Sequence, residues 1–452
     1  MSELDHNHSL NHSIDMLTDA LQSGRFVRMR RLLSSLHPAE TAHLLESLPP
    51  TERKICWPLI SPDLRGEVLS FVNEEVRIDL LTEMDTADLV HATEALDTDD
   101  IVDILQDLPS HIVSDVLQAM DEQHRRRVET VLIYEEDCAG GLMNTDVITV
   151  RNDITLEVVL RYMRMLGELP ENTDSLYVVN HKGVYIGTLP LAQLVSRQPS
   201  LFVKDVMSHQ IEAIPANMSD VDVARRFEKH DLISAPVVDK DNYLLGRITI
   251  DDVVDVIREE ADHSLMGMAG LSDEEDTFAS VTRSVRRRFI WLGVSLISAF
   301  TAASVIGLFD ATIEKLVALA VLMPIVASMG GIAGSQTLTL VIRSLALGHL
   351  TSQNKRWLLR KELFVGLSNG LIWALAIALV TYFWFHDSAL SLLIGVAIII
   401  NMSAAALAGV LIPLGLKRAG IDPALSGSVL LITITDVVGF MAFLGFATLF
   451  IV

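Results

Sequence analysis

The sequence predicts a multidomain protein with an α-helical superhelical domain, two α+β domains in tandem, a connecting helix and an all-α transmembrane domain of five helices. Three observations predict this fold class. An apolar residue recurs every twelve positions between residues 36 and 132, a β–α–β–β–α pattern then occurs twice, and five long apolar segments follow.

Charge divides the 452 residues into two unlike parts. Residues 1–288 contain 52 Asp and Glu against 27 Lys and Arg, whereas residues 289–452 contain 6 against 8. This distribution is typical of an acidic soluble module joined to a membrane module. The acidic half argues against nucleic-acid binding, which needs a basic surface. It fits a protein that handles cations, and simple solubility is the alternative explanation.

Residues 1–35 are predicted to form a polar N-terminal tail. His6, His8 and His12 fall in it, and we expect a solvated terminus there rather than a metal site. No apolar segment of the signal-peptide type is present at the start, so no cleavable signal is expected. Cys56 and Cys138 have no metal-binding, redox or disulfide spacing, which is compatible with a reduced cytosolic setting.

Residues 36–137 are predicted to be a helical-repeat domain. The residue after each apolar repeat position is mostly of a type that starts helices, as at Ser61, Asn73, Asp97 and Asp121. Each repeat therefore predicts one short helix, and stacked short helices form a superhelix. The apolar positions are Leu36, Leu48, Ile60, Val72, Met84, Leu96, Leu108, Met120 and Leu132.

Residues 138–200 and 201–262 predict two similar α+β domains. Each contains a strand, a helix (near 155–166 in the first and near 219–230 in the second) and two further strands. The helix that follows the second copy has Asp252, Asp255, Glu259 and Asp262 on one face, where like charges repel by a few tenths of a kcal/mol per pair.

This acidic face has two interpretations. It is either a solvated surface or a place where divalent cations bridge the helix to other acids, including those of the repeat domain or a partner chain. The candidate regulatory metal ligands are Asp97, Asp99, Asp220, Asp251, Asp252, Asp255, Glu259 and Asp262.

Residues 263–288 are predicted to be a connecting helix that enters the membrane, and residues 289–452 the transmembrane domain. Five segments exceed the ~20 apolar residues needed to cross a bilayer. We place them at about 289–309, 316–342, 362–385, 389–416 and 424–451. The clusters of Lys and Arg all fall on the same side, which predicts a cytosolic N-terminus and an external C-terminus.

Asp436 lies in the middle of the last apolar segment, whereas Glu362 and the other acids of this domain lie at segment ends or in loops. A charged side chain in mid-bilayer costs at least ~2.5–3.5 kcal/mol, and no basic residue is present there as a partner. Ser428, Ile432 and Asp436 share one helical face. Mg²⁺ binds through one or two carboxylates and several waters, so a homodimer with Asp436 on its two-fold axis would provide a pore site.

The second apolar segment contains Gly330 and Gly334, whose spacing allows helices to approach closely. This spacing predicts either a tight helix–helix contact or a narrow pore wall, and the two interpretations are compatible.

Several motifs resemble those of the MgtE family of magnesium channels, and the order of domains is also similar. The motifs are Ala139-Gly-Gly-Leu-Met143, residues 230–239, Ser284-Val-Arg-Arg-Arg288, residues 324–336, Gly420-Ile-Asp-Pro-Ala424 and Thr435-Asp436. The resemblance implies tandem cystathionine-β-synthase (CBS) domains, a connecting plug helix and a homodimeric inner-membrane channel rather than an enzyme. It also implies that intracellular Mg²⁺ closes the channel and that Asp436 coordinates the transported ion.

The chain departs from the family pattern at Ile332, where Asn is common, and at Ser428, where Pro is frequent. Both departures put the selectivity among Mg²⁺, Co²⁺, Mn²⁺ and Ca²⁺ in question. In CBS domains a Gly-x-x-Ser/Thr-x-x-Asp turn often binds adenosine nucleotides such as ATP. Only the second copy has this pair, as Thr249 and Asp252, so at most one nucleotide site is expected.

Two other functions fit parts of the sequence. One is a secondary transporter of divalent cations such as Co²⁺ that uses Asp436 as a proton carrier. The other is a membrane-anchored nucleotide sensor, which leaves Asp436 unexplained and needs only one membrane helix.

Overall fold

The computed structural model describes residues 16–450 except residues 18, 22, 94, 95, 168, 171, 273, 274 and 352. His6, His8 and His12 lie outside the described residues. The chain forms two compact units. The first consists of Met1–Arg258 and Glu274–Ser280, and the second of Glu259–Asp273 and Val281–Val452.

The first unit contains a helix, α1 (Phe26–Leu33), inside the stretch predicted to be a polar tail. That prediction is wrong for these residues. Met29 and Leu33 are four positions apart, so they fall on the same helical face, and both are buried in the core of the first unit. Burial of this face stabilises the helix. The apolar pattern is weak in the sequence because arginines surround the two buried residues.

Eight further helices follow α1 at the twelve-residue interval. Their ranges are α2 (Pro38–Glu46), α3 (Pro50–Cys56), α4 (Pro62–Phe71), α5 (Glu74–Leu81), α6 (Thr86–Thr93), α7 (Thr98–Gln106), α8 (Ser110–Ala119) and α9 (Glu122–Val131). The repeat prediction is confirmed at the helix starts. Asn73 and Asp121, for example, accept hydrogen bonds from the first free backbone amides of α5 and α9, respectively.

The two α+β domains have the same topology. The first contains β1 (Thr149–Arg151), α10 (Leu156–Leu166), β2 (Ser175–Val179), β3 (Tyr185–Pro190), α11 (Leu191–Ser196) and α12 (Val203–Val206). The second contains β4 (Ile214–Pro215), α13 (Asp220–His230), β5 (Ser234–Val238) and β6 (Leu244–Thr249). Each sheet has one parallel and one antiparallel pair, and both antiparallel pairs shift register at the corresponding position. The predicted duplication is confirmed.

The connecting helix predicted over residues 263–288 is not a single helix. Helix α14 (Ile250–Met268) continues without a break from the second α+β domain, and α15 (Val281–Gly307) starts only after twelve further positions. Gly270 has a φ of +72°, and the amide of Leu271 donates to the carbonyl of Met266 at 3.0 Å. A left-handed glycine of this kind ends a helix, which is the physical reason for the break.

The second unit contains α15, α16 (Asp310–Lys315), α17 (Ala318–Ala346), α18 (Lys355–Phe385), α19 (Ser388–Arg418) and α20 (Pro423–Phe450). Among the described residues, five helices are long and apolar enough to cross a membrane, and all five are in this unit. This confirms the five predicted segments. Helix α19 packs against α17, α18 and α20 and is the most buried of the five.

Candidate cation sites

The structure places Ser428, Ile432 and Asp436 on one face of α20, and this face is uncovered in the single chain. Ile432 is 48% exposed, and Ser428 and Asp436 are partly exposed. Asp436 forms no hydrogen bond or ion pair with any residue that the structure describes. The carboxylate is therefore available to a cation or to a group from another chain.

The neighbouring face of α20 packs tightly on α17. A Cβ atom added to Gly334 would lie 2.8 Å from a methyl group of Leu431, and one added to Gly427 would lie 3.2 Å from Leu338. Thr435, next to Asp436 in the sequence, is fully buried. The glycines of α17 thus form the tight helix–helix contact that their spacing predicts, and this contact fixes the direction in which α20 presents Asp436.

Helix α17 also has an uncovered polar face. Ser335, Gln336 and Thr339 are exposed there, and Ile332 is 57% exposed. Polar side chains at membrane depth avoid lipid and face a protein interior or water. This face, like that of Asp436, has the character of an interface or a water-filled passage.

Asn401 on α19 lies between α17 and α20, a position that the sequence does not reveal. Its side chain is fully buried, and its Nδ2 donates to the carbonyl of Val326 at 2.8 Å. A Cβ atom on Gly330 or on Gly439 would lie 2.2 Å or 2.7 Å from this Nδ2 atom. Asn401 therefore occupies a niche that one glycine from each neighbouring helix leaves open.

Glu362 is at the start of the third predicted apolar segment, and the structure shows that it is buried there. It lies in the third turn of α18 and is 3% exposed. Its carboxylate accepts from Lys361 Nζ at 2.6 Å and from Thr337 Oγ1 at 3.3 Å. Because Lys361 neutralises it, Glu362 contributes no free negative charge to the membrane domain.

In the first unit, the start of α7 and the start of α14 bring acids together. Burial, followed by the nearby charges of Asp252, Asp100 and Asp97, raises the pKa of Asp99 well above its usual range. Burial and the neighbouring Asp251 raise the pKa of Asp252 to about 7. Four predicted ligands, namely Asp97, Asp99, Asp251 and Asp252, thus share one electrostatic environment.

Asp100 belongs to the same cluster but was not among the predicted ligands. Burial and the charge of Asp103 raise its pKa to about 7, although Arg77 opposes the shift. The Oδ1 atom of Asp99 is buried and has no hydrogen-bond partner among the described residues. An acid cluster with raised pKa values and a free buried oxygen has the chemistry of a divalent-cation site.

The remaining predicted ligands lie elsewhere. Asp220 has Asp137 and Asp222 as charged neighbours, and burial raises its pKa. Asp255 neighbours Arg258, which offsets part of the pKa increase due to burial. Glu259 and Asp262 belong to the second unit.

The described residues contain no group of three or more His, Cys, Asp or Glu side chains that could hold a metal ion. Mg²⁺ often uses only one or two carboxylates and keeps its other ligands as water. The charge of Asp252 acts on Asp99, so these two carboxylates are neighbours.

The two predicted nucleotide-binding residues contact each other. The backbone amide and Oγ1 of Thr249 both donate to Asp252 Oδ2, at 3.2 Å and 3.0 Å. These bonds favour the ionised carboxylate of Asp252 and orient it beside Asp251.

Comparisons with known proteins match four segments of the chain between residues 36 and 446 to family models. The divalent cation transporter domain MgtE matches residues 323–446, the MgtE intracellular N domain matches residues 36–137, and CBS domains match residues 139–199 and 203–259. The magnesium transporter MgtE of Thermus thermophilus is 32% identical over 332 residues, which are 73% of this chain and 74% of that protein. The magnesium transporter MgtE of Enterococcus faecalis is 27% identical over 72% of this chain and 71% of its own length.

Among solved structures, the cytosolic domain of the Mg²⁺ channel MgtE in complex with ATP is 32% identical. It covers 54% of this chain and 99% of its own, with a TM-score of 0.49.

Proposed function

The chain belongs to the MgtE family of divalent cation transporters, and we propose that it is a homodimeric Mg²⁺ channel whose pore contains Asp436. We place it in the inner (plasma) membrane with the N-terminus in the cytosol. Intracellular Mg²⁺ binds the acidic cytosolic domains and favours the closed pore.

One observation carries the pore proposal. Asp436 lies on an uncovered face of a membrane helix without a partner among the described residues, and an isolated charge in a bilayer is costly. A second copy related by a two-fold axis would bring a second Asp436 to the same axis and cover the polar face of α17. Two carboxylates with retained water suit Mg²⁺.

The acid cluster around Asp99 and Asp252 supports the gating proposal. The proposed gate has two arrangements of the cytosolic domains, a compact one that closes the pore and one in which the domains are separated. Without a cation the carboxylates repel one another, which disfavours the compact arrangement. Mg²⁺ shifts the equilibrium only by binding one arrangement more tightly than the other. The compact arrangement brings more carboxylates close together, so Mg²⁺ binds it more tightly and favours it.

The orientation rests on basic residues at the helix ends. Arg286, Arg287 and Arg288 precede the apolar part of α15, Lys355 and Arg356 begin α18, and Lys417 and Arg418 end α19. All three groups fall on one side of a five-helix domain, and basic residues favour the cytosolic side.

Flux through the purified protein in liposomes tests the pore site. We expect Asp436→Asn and Asp436→Ala to abolish most Mg²⁺ uptake, while Glu314→Gln, which removes an exposed acid from the end of α16, leaves uptake unchanged. Wild-type flux in both Asp436 variants would overturn the proposal.

The same preparation separates a channel from a proton-coupled transporter of Co²⁺ or other divalent cations. A channel conducts Mg²⁺ down its gradient without a proton gradient, and uptake then increases with membrane potential. Strict dependence on a pH gradient would favour the transporter. ATP is not part of the proposed mechanism.

A further inference from the structure

Helix α1 differs in charge from the module that contains it. Arg25, Arg28, Arg30 and Arg31 lie within seven positions, in a part of the chain with 52 acids and 27 basic residues. The family matches begin at residue 36. Helix α1 therefore lies outside the segments that the family models match.

The four arginines and two apolar residues form a continuous exposed surface. Phe26 is 53% and Val27 77% exposed, and all four arginines are exposed. We call these six residues the basic face of α1. On the other side, Met29 and Leu33 are buried, so the core holds the helix in place and keeps the basic face outward.

The arginines of the basic face form no ion pair with any residue in the described part of the chain. Other cations of the same unit that are exposed or partly exposed do pair with acids. Examples are Lys54 with Glu83, Arg126 with Glu122, Arg161 with Glu157 and Arg225 with Asp222. The basic face thus has guanidinium groups without a counter-charge among the described residues, beside an exposed phenyl ring.

We propose that the basic face of α1 binds the anionic surface of the lipid bilayer in which the chain is embedded. Arginine forms bidentate hydrogen bonds with phosphate. Exposed aromatic and aliphatic side chains beside basic residues enter the boundary between headgroups and acyl chains. The cytosolic leaflet is negatively charged and attracts basic segments near its surface.

The membrane is the better occupant than an acidic protein because the five spanning helices tether the module to it. Tethering converts binding of α1 into an intramolecular event with a high effective concentration, so even a weak surface contact is populated. An acidic surface on a second copy would also attract the arginines. It would not provide an apolar environment for the adjacent Phe26 and Val27, whereas a bilayer does.

The test uses the full-length protein in nanodiscs of phosphatidylcholine, with or without phosphatidylglycerol. A fluorophore is attached at Val27→Cys in a Cys138→Ser background, since Cys56 is fully buried. Lipids with a spin label in the headgroup quench the fluorophore if α1 lies on the bilayer. The label at exposed Gln118→Cys, on α8, is the control position.

We expect quenching at position 27 only in discs that contain phosphatidylglycerol, and its loss at high salt. Replacing all four arginines of the basic face with Gln abolishes the quenching, because each arginine near the surface contributes roughly fivefold to binding. The matched control replaces Lys54, Arg126, Arg161 and Arg225 with Gln. It removes the same charge from the same unit and keeps the quenching.

Equal quenching at position 27 in discs with and without phosphatidylglycerol overturns the proposal. An equal loss of quenching in the two quadruple variants also overturns it. Energy transfer between labels on two copies, independent of phosphatidylglycerol, would show that the basic face is a subunit contact and would also overturn it. The salt dependence is measured on labelled protein that retains all four arginines. It therefore tests membrane binding even if the quadruple variant does not fold. Mg²⁺ flux is a separate measurement, and failure of the channel proposal leaves this test unaffected.

Discussion

Arg53 and Asp276 form a buried, bidentate ion pair although they lie 223 positions apart in the sequence. The two nitrogen–oxygen distances are 2.6 Å and 2.9 Å, and Arg53 also donates to the carbonyl of Leu45 at 2.8 Å. The amide of Asp276 donates to Glu75 Oε2 at 2.7 Å. This contact attaches the segment around Asp276 to the repeat domain. Asp276 lies five positions before Val281, where α15 begins.

The first prediction concerns this ion pair. Arg53→Met leaves the carboxylate of Asp276 buried without a counter-charge, which costs roughly 3–5 kcal/mol. We expect faster hydrogen exchange at the amides of Asp276 and Phe278 and faster proteolysis near residue 276. The control is Arg126→Met, which breaks an exposed pair and costs about 0–1 kcal/mol.

A double variant distinguishes the buried charge from lost packing. Arg53→Met with Asp276→Leu removes both charges and recovers part of the exchange protection, because replacing a buried pair by apolar residues is often neutral. Protection no better than in Arg53→Met alone would contradict the role assigned to the charge.

The second prediction concerns pH. Burial is the main cause that raises the pKa of Asp100 and Asp252, each to about 7, whereas an unfolded Asp titrates near 3.9. Between these values the folded state binds more protons than the unfolded state, so stability falls as pH rises from about 4 to about 7. Without Mg²⁺, the first unit should melt at a lower temperature at about pH 8 than at about pH 6.

Mg²⁺ should reduce that difference, because it binds the deprotonated carboxylates and therefore stabilises most at high pH. Calorimetry of the full-length protein in EDTA and in Mg²⁺ provides the comparison. A melting temperature that rises with pH in EDTA would count against the acid cluster as the source.

The third prediction concerns Asp99. Asp99→Asn removes one charge from the repelling cluster, so we expect higher stability of the first unit in EDTA and a smaller gain on adding Mg²⁺. The two effects have opposite signs, which separates ligand loss from general damage. Asp115→Asn on α8 serves as control, since Asp115 is exposed; it should change neither quantity. Lower stability in EDTA for Asp99→Asn would be inconsistent with repulsion.

The fourth prediction concerns the junction of α17, α19 and α20. Gly439→Ala places a methyl group 2.7 Å from Asn401 Nδ2, so the helices must move apart and Mg²⁺ flux should fall. Combining it with Asn401→Ser, which shortens the side chain, should restore flux in part. Gly415→Ala is the control, because among the described residues no side chain or other helix lies within 4 Å of its added Cβ. Equal flux in Gly439→Ala and wild type would argue against this close approach.

Much of the fold follows from local patterns. The twelve-residue repeat predicted the helix starts of the first unit, because caps such as Asn73 and Asp121 satisfy amides only a few residues away. The duplicated α+β domains and the five membrane helices also follow from periodicity and segment length. Helix α1 was not predicted, because only two of its residues, Met29 and Leu33, are buried and arginines surround them. The predicted connecting helix was too long, because the left-handed Gly270 ends the preceding helix.

The candidate sites were predictable only in part. From local pattern alone, Asp436 is a costly membrane carboxylate on the same helical face as Ser428, and acids collect near Asp252. The folded chain was needed to show that Asp99 and Asp252 are neighbours, that Arg53 neutralises Asp276, and that Asn401 fits between two glycines. Helix periodicity and capping are set by residues within about one turn, whereas charge pairing and close packing depend on which distant surfaces the fold brings together.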